Sequence, residues 1–235
     1  MLEIEEWQKQ LAELDALERI KRLMQKFPEE TIATSSFGIQ SAVCLHLIAK
    51  AGFKLPVVFI DTGYLFVETY RYAAQLRKSL DLDLRCYCPK ITPTHMEALY
   101  GRQWEQGKDG LEKYLKHCKI EPMSRAIKEL KPRAWIAGLR RAQSDSRSHR
   151  QVAELTDGML KLHPIIDWSD KMVEDYFAAH DLPKHPLEAD GYVSVGDWHS
   201  TTKLSQGMRM EETRFDGEKR ECGLHIVQDW KGARN

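Results

Sequence analysis

Three short segments of this sequence hold residue types that could do chemistry. The first is Ser35-Ser36-Phe37-Gly38-Ile39-Gln40-Ser41, which joins a β-branched stretch to a helical one. A turn of small residues at a helix N-terminus presents backbone N–H groups and the positive end of the helix dipole, and both favour an anion such as phosphate. No Gly-Lys-Ser/Thr follows, so it is not a Walker loop, and a plain strand-to-helix turn is the alternative. The second segment runs from Gly138 to Arg150. Between Arg133 and Arg150 stand five arginines and one acid, with Gln143, Ser144, Ser146 and Ser148 interleaved. Guanidinium forks suit phosphate and sulfate oxygens. A solvated basic loop is the competing explanation. The third is Lys219-Arg220-Glu221-Cys222-Gly223-Leu224-His225. Two cations and a histidine beside Cys222 favour a thiolate, while Glu221 opposes it. A reactive thiol and an incidental cysteine both remain open here.

Other candidates are weaker. Cys44 lies in an apolar helical stretch and reads as core. Cys86 and Cys88 are two apart in a strand-like run and so share one face, but His95 is the sole nearby third ligand and the spacing matches no common zinc pattern. Cys118 follows His117 and has no Cys-x-x-Cys partner, and the chain lacks a four-thiolate set for an iron–sulfur cluster. Asp61-Thr62-Gly63 has the residue types of an aspartic-protease triplet, but it occurs once and Tyr64 follows it. Asp61 reads more simply as the end of a buried strand at the ligand edge of a sheet. His163, His180, His185, His199 and His225 cluster late, with no spacing that demands zinc.

The elements that must position these residues alternate in type. Leu2 to Met24 predicts one amphipathic helix, ended by Phe27-Pro28. Strands are expected at 31–36, 56–60, 82–88 and 134–138, and helices at 41–51 and 66–80. A long helical region at about 96–130 is interrupted near Gly107, Gly110 and Pro122. Residues 159–166 read as a strand or hairpin arm, and Ser169 as the N-cap of a helix to about His180. Strands alternating with helices predict an α/β fold with a Rossmann-like parallel sheet in three layers. The expected divisions are an N-terminal helix at 1–28, a nucleotide-binding α/β domain at 29–203, and a mobile C-terminal tail at 204–235 that carries Cys222.

Composition excludes several classes. Of 235 residues 42% are hydrophobic and 30% charged, which argues against disorder. Lys plus Arg number 35 and so do Asp plus Glu, so bulk attraction to nucleic acid or anionic membrane is not expected. No apolar run approaches the roughly 20 residues that span a bilayer. The acidic start lacks the features of a signal peptide, and five cysteines is an odd count. A cytoplasmic protein with reduced thiols is the expectation.

Taken together, the segments resemble the phosphoadenosine phosphosulfate (PAPS) reductase family over nearly the whole chain after about residue 30. The resemblance rests on Ser35 to Ser41, Asp61-Thr62-Gly63-Tyr64, Gly138-Leu139-Arg140-Arg141 with Gln143-Ser144, Pro164 to Trp168, His185-Pro186-Leu187 with Gly191-Tyr192, and Glu221-Cys222-Gly223-Leu224-His225. Their order and spacing make it specific. It implies an adenine-nucleotide α-hydrolase-like fold. Related ATP pyrophosphatases carry a Ser-Gly-Gly-x-Asp-Ser/Thr loop, in which Phe37 here replaces a glycine and Gln40 the acid. Loss of that acid removes a magnesium ligand, as suits a loop that holds a nucleotide without cleaving its pyrophosphate. Adenylylsulfate (APS) reductases carry an iron–sulfur cluster on a Cys-Cys pair and a Cys-x-x-Cys pair. Here those regions read His117-Cys118 and Gly196-Asp197-Trp198-His199, which favours PAPS and predicts no bound cofactor, metal or cluster.

The chemistry implied is attack of the Cys222 thiolate on the sulfate sulfur, leaving a thiosulfonate on Cys222 that thioredoxin then reduces. Fixed cations must offset repulsion between anions. The resemblance points to Lys119, Arg140, Arg141, Arg209 and Arg214 for this. Ser35, Ser36, Gly38, Gln40 and Asp61 would hold the nucleotide, with His225 as a possible support to Cys222. It also suggests a homodimer, with glutaredoxin an open alternative to thioredoxin. An APS reductase, or an ATP-using ligase or sulfur transferase on the same fold, are the competing functions.

Overall fold

The structure, a computed structural model, describes residues 2–208 and 210–214. Helices α1 (Leu2–Ala12) and α2 (Ala16–Lys26) precede strand β1 (Thr31–Thr34). There follow α3 (Ser41–Lys50), β2 (Pro56–Ile60), α4 (Val67–Ser79) and β3 (Asp83–Tyr87). Then come α5 (Pro93–Tyr100), α6 (Gly107–Leu115), α7 (Glu121–Leu130) and β4 (Ala134–Ala137). A hairpin of β5 (Ala153–Thr156) and β6 (Met159–Leu162), α8 (Asp170–Ala179) and the short α9 (Pro186–Ala189) complete the named elements.

Six strands form one sheet in the order β3-β2-β1-β4-β6-β5. All neighbours are parallel except the β5–β6 pair. The strands nearest the centre read as apolar runs because helices cover both faces. Val57, Val58 and Phe59 of β2 and all of β4 are buried. Chain order runs outward from β1 to β2 and β3 on one side, then restarts with β4 on the other. Such a reversal opens a crevice at the carboxyl ends of the two central strands. The loops that leave β1 and β4 are the first two chemical segments of the sequence.

The N-terminal periodicity belongs to two helices, not one. Asp15 caps α2 by accepting from the Glu18 N–H at 2.9 Å. Arg19, on the apolar face of α2, is buried. Its guanidinium donates to the carbonyls of Leu11 and Ala12 at the end of α1 and pairs with Asp167 at 2.7 Å. Carbonyls that would have continued α1 are thereby satisfied from the side. Leu11, Ile20, Leu23 and Met24 join the core of the sheet domain.

The long helical region is likewise divided. Gly101 ends α5 and Gly107 opens α6, whereas Gly110 lies inside α6 against the Gln103 carbonyl, where a Cβ would come within 2.3 Å. Between α6 and α7 the chain widens into a π turn over Lys116–Ile120. Pro122 has no N–H to donate four residues back, and a wider turn accommodates that loss. Strand β5 was not expected, although its partner was. Asp157 and Gly158, both at positive φ, make the tight turn between them. Within the segment expected as a tail, residues 210–213 form a 3₁₀ turn. Thr213 is buried, and its carbonyl accepts from the Thr202 N–H at 3.0 Å, so this part packs on the domain.

Candidate active site

A cleft of about 260 Å³ opens where the loops after β1 and β4 meet. Ser35, Ser36, Gly38, Gln40, Lys119, Arg140 and Arg214 line it, together with Gln143, Arg147, Asp170 and the stretch Val193–Gly196. Apolar side chains, among them Ile39, Ile48, Ile60, Leu65 and Val195, supply the rest. Among the described residues, four of its charged side chains are cations and one, Asp170, is an acid. An apolar wall beside a cationic, hydroxyl-bearing wall suits a nucleotide: a base on one side, anionic oxygens on the other.

The β1 loop is anchored by Phe37. Its ring is fully buried and meets Phe59 edge-on at 5.0 Å, which holds the backbone at φ 51°. Ser35 accepts the Phe37 N–H, and the Ser41 hydroxyl donates to the Gly38 carbonyl at 2.7 Å. The Gln40 side chain does not cap the start of α3; the Ser41 N–H is taken by the Gly38 carbonyl at 3.0 Å and the Val43 N–H by the Gln40 carbonyl at 3.4 Å, so what this end of the helix offers the cleft is the positive end of its dipole. Close packing fixes the β4 side, where a Cβ on Gly138 would come within 2.9 Å of the Cys44 Cβ.

Arg140 is almost fully buried beneath the loop. It donates to Gln40 Oε1 at 2.5 Å, to Asp170 Oδ1 at 2.7 Å and to the Trp168 carbonyl at 3.0 Å. Gln143 also donates to Gln40 and accepts from Arg147 and the Arg140 N–H. The two chemical segments, 100 residues apart, are thus joined through Gln40.

A second cation lies across the cleft floor. Lys119, carried on the π turn, pairs with Asp197 at 2.7 Å, and Asp197 accepts from the Thr62 hydroxyl at 2.5 Å. Burial alone would raise the Asp197 carboxyl, but Lys119, Thr62 and Arg214 hold it down at about 2. Arg214 packs against Gly196, where an added Cβ would collide with its guanidinium. Beside this pair, outside the cleft lining, lies an aromatic cluster: Trp104 stacks on His199 at 3.9 Å, with Tyr64 and Tyr114 edge-on. Burial pushes His199 down to about 4, so the ring is neutral near pH 7.

Two expected residues sit elsewhere. Arg141 braces its own loop, donating to the Arg150 carbonyl at 2.9 Å while its N–H bonds Ile166. Asp61 is not part of the lining. Its Oδ1 accepts from the Gly63 N–H at 2.8 Å and the Tyr70 hydroxyl at 2.6 Å, and its Oδ2 faces Cys88. Arg209, Cys222 and His225 lie outside the described residues. Burial pushes both Cys44 and Cys118 up to about 12, so neither offers a thiolate near neutrality. Of the late histidines, His163 and His185 are buried, and His185 caps α9 through Nδ1.

Sequence reasoning passed over the roles of several residues that line the cleft or support its lining. Arg147 stands in the basic run and was readable there. Asp170, Thr62 and Asp197 were not, because each acts through a partner 30 to 135 residues away.

Comparison with known proteins is consistent with this geometry. A family model described as the phosphoadenosine phosphosulfate reductase domain matches residues 30–203. The chain is 48% identical to the phosphoadenosine 5'-phosphosulfate reductase of Alkalilimnicola ehrlichii, covering 95% of this chain and 91% of the relative. It is 47% identical to the Proteus mirabilis protein of the same name, covering 95% and 92%. Among solved structures, a Candida auris phosphoadenylyl-sulfate (PAPS) reductase in complex with phosphate superposes with TM-score 0.74 at 30% identity, over 85% of this chain and 96% of that one. The FMN adenylyltransferase of Candida glabrata shares the fold alone, with TM-score 0.55 at 16% identity over 83% and 68%.

Proposed function

The chain belongs to the phosphoadenosine phosphosulfate reductase family, and on that premise we propose how its residues divide the work of reducing PAPS. The reaction is an oxidoreductase step of sulfate assimilation that releases sulfite. The observation that carries the proposal is the joining of the β1 loop to the basic β4 loop through Gln40 and Arg140 around one cationic cleft.

In this reading Ser35, Ser36 and Gly38 receive phosphate oxygens at the positive end of the α3 dipole, and the apolar wall takes the adenine. Gln40 is held by Arg140, which makes Arg140 chiefly a positioning residue. Lys119 and Arg214, with Arg147 and the outside residue Arg209, offset the charge of the sulfate and of the leaving phosphate. Arg141 and Asp61 support the loops and do not touch substrate. The Cys222 thiolate attacks sulfur, and the sulfur–oxygen bond to phosphate breaks. Adenosine 3′,5′-bisphosphate leaves with the electron pair. A thioredoxin thiolate then attacks the Cys222 Sγ and expels sulfite, and the second thioredoxin thiol resolves the mixed disulfide, so that Cys222 returns as a thiol. His225 is proposed to assist Cys222, and the chain to work as a homodimer without a bound cofactor.

The preference for PAPS over APS is supported by what joins the two segments that hold cluster cysteines in APS reductases. Cys118 is buried with its Sγ 3.6 Å from Met96 Sδ, while Lys119 and Asp197 pair and His199 stacks on Trp104. An ion pair and packed rings supply the cohesion there. Among the described residues no helix is long and apolar enough to cross a membrane.

The test is sulfite release from PAPS and from APS in parallel, with reduced thioredoxin. Release from PAPS, and its loss in Cys222→Ser with nucleotide binding retained, is expected. Release mainly from APS would overturn the substrate assignment, and turnover by Cys222→Ser would overturn the mechanism.

A further inference from the structure

Cys86 and Cys88 project from the same face of the edge strand β3 and its continuation, and both are exposed. Their sulfurs are 3.9 Å apart. Strand β2 lies alongside in parallel, and its end brings Asp61 to the same spot, with Oδ2 4.0 Å from the Cys88 Sγ. One ligand atom from each residue fits within 4.8 Å of the others, and among the described residues no other histidine, cysteine and acid grouping does so. His95, the third ligand suggested by sequence proximity, is not in the group. A partner on the neighbouring strand takes that place.

We propose that Cys86, Cys88 and Asp61 form a binding site for a thiophilic d¹⁰ cation of the Zn²⁺ class, separate from the substrate cleft. The distances carry the proposal. With metal–sulfur bonds of about 2.3 Å, tetrahedral coordination puts two thiolates roughly 3.8 Å apart and a thiolate and carboxylate oxygen roughly 3.6 Å apart. The sulfurs already stand at 3.9 Å, Asp61 Oδ2 is 4.0 Å from the Cys88 Sγ, and the Cys86 Sγ lies within 4.8 Å of an Asp61 carboxylate oxygen, so a small closing movement of Asp61 completes the set. Its Oδ1 is fixed by Gly63 and Tyr70, which leaves Oδ2 for the ion. Solvent reaches the cysteines, so water can fill a fourth position. A disulfide fits less well. Residues two apart in a strand have Cα atoms roughly 6.6 Å apart, near the upper limit for a bridge, and closing the sulfurs to about 2.05 Å would pull β3 out of its ladder.

The test uses the full chain, reduced and stripped of metal, in a Cys222→Ser background that removes the tail thiol. It is titrated with Cd²⁺ alone, and sulfur-to-cadmium charge transfer is followed in the ultraviolet. One Cd²⁺ per chain is expected. Cys86→Ser and Cys88→Ser should each weaken binding by about tenfold or more and reduce the band, while Asp61→Asn weakens binding by about tenfold and keeps it. Cys118→Ser should leave both unchanged. A band that survives Cys86→Ser/Cys88→Ser, or no band at equimolar Cd²⁺, would overturn the site. So would alkylation masses that show Cys86 and Cys88 joined in the reduced protein. Because none of these readouts depends on PAPS reduction, failure here is distinguishable from failure of the proposed function.

Discussion

Two buried cations of the cleft are each held by a carboxylate, but the burial of the carboxylate differs between them. Arg140 is buried and its acid, Asp170, is 60% exposed. Lys119 is buried too, and so is its acid, Asp197. The first acid lies in water and is one of several groups that satisfy Arg140. The second could not stay ionised without its cation. The difference teaches where charge is structural. The Lys119–Asp197 pair holds the floor together, whereas the Arg140–Asp170 pair trims a contact whose main object is Gln40.

Breaking the buried pair has the largest expected effect. Lys119→Met leaves Asp197 with Thr62 and Arg214, and a buried acid deprived of its main cation costs about 3–5 kcal/mol. Urea unfolding checks this. The carboxyl should also rise from about 2, so the variant's deficit relative to wild type should be largest near neutrality and shrink as pH falls and Asp197 is protonated. A loss near that of an exposed pair would remove the contrast.

Arg140→Ala comes next, at about 2 kcal/mol, because the Gln40 and Trp168 carbonyl oxygens lose a charged donor. If Arg140 acts through Gln40, Arg140→Ala and Gln40→Ala are not additive. A double-mutant cycle on KM for PAPS should show a coupling of about 1 kcal/mol or more, and additive losses would place Arg140 directly on substrate.

Two buried histidines add a pH dependence. Burial lowers the folded-state values of His199 and His185 from 6.5 to about 4. Their contribution is complete above the unfolded value of 6.5 and is lost as pH falls toward about 4, because the unfolded chain takes up the protons first. His199→Phe keeps a ring against Trp104 and should recover about 1 kcal/mol of stability at pH 5 relative to pH 7, after allowance for solvent screening. Equal pH slopes for wild type and variant would contradict this. The smallest effect belongs to the exposed acid: Asp170→Asn should cost under about 1 kcal/mol, and KM for PAPS should fall because a negative charge is removed from the lining of a cleft that takes an anion.

Legibility followed the distance over which each interaction acts. Strand β2 was readable to the residue because a buried parallel strand is a continuous apolar run. The Ser169 cap of α8 was readable because it acts three residues away. The break between α1 and α2 was not, since Arg19 reads as a solvent-facing cation in an amphipathic helix until Asp167 and the Pro164 carbonyl appear beside it. Strand β5 had a local sign in Asp157-Gly158 that went unused. In the cleft, the serines and basic loop were visible as types. The pairings that distinguish Arg140 from Arg141 are set by sheet order, and adjacent arginines in sequence carry no mark of which one turns inward.

The central claim is that Cys222 attacks the sulfur of a nucleotide held in this cleft. Its most direct test is a single turnover of PAPS by the reduced protein with no thioredoxin present, followed by peptide mass mapping. One SO₃ should appear on Cys222, in step with release of adenosine 3′,5′-bisphosphate, and both should be absent in Cys222→Ser. Bisphosphate release that persists in Cys222→Ser, or an adduct on the exposed Cys86 or Cys88 instead, would contradict it.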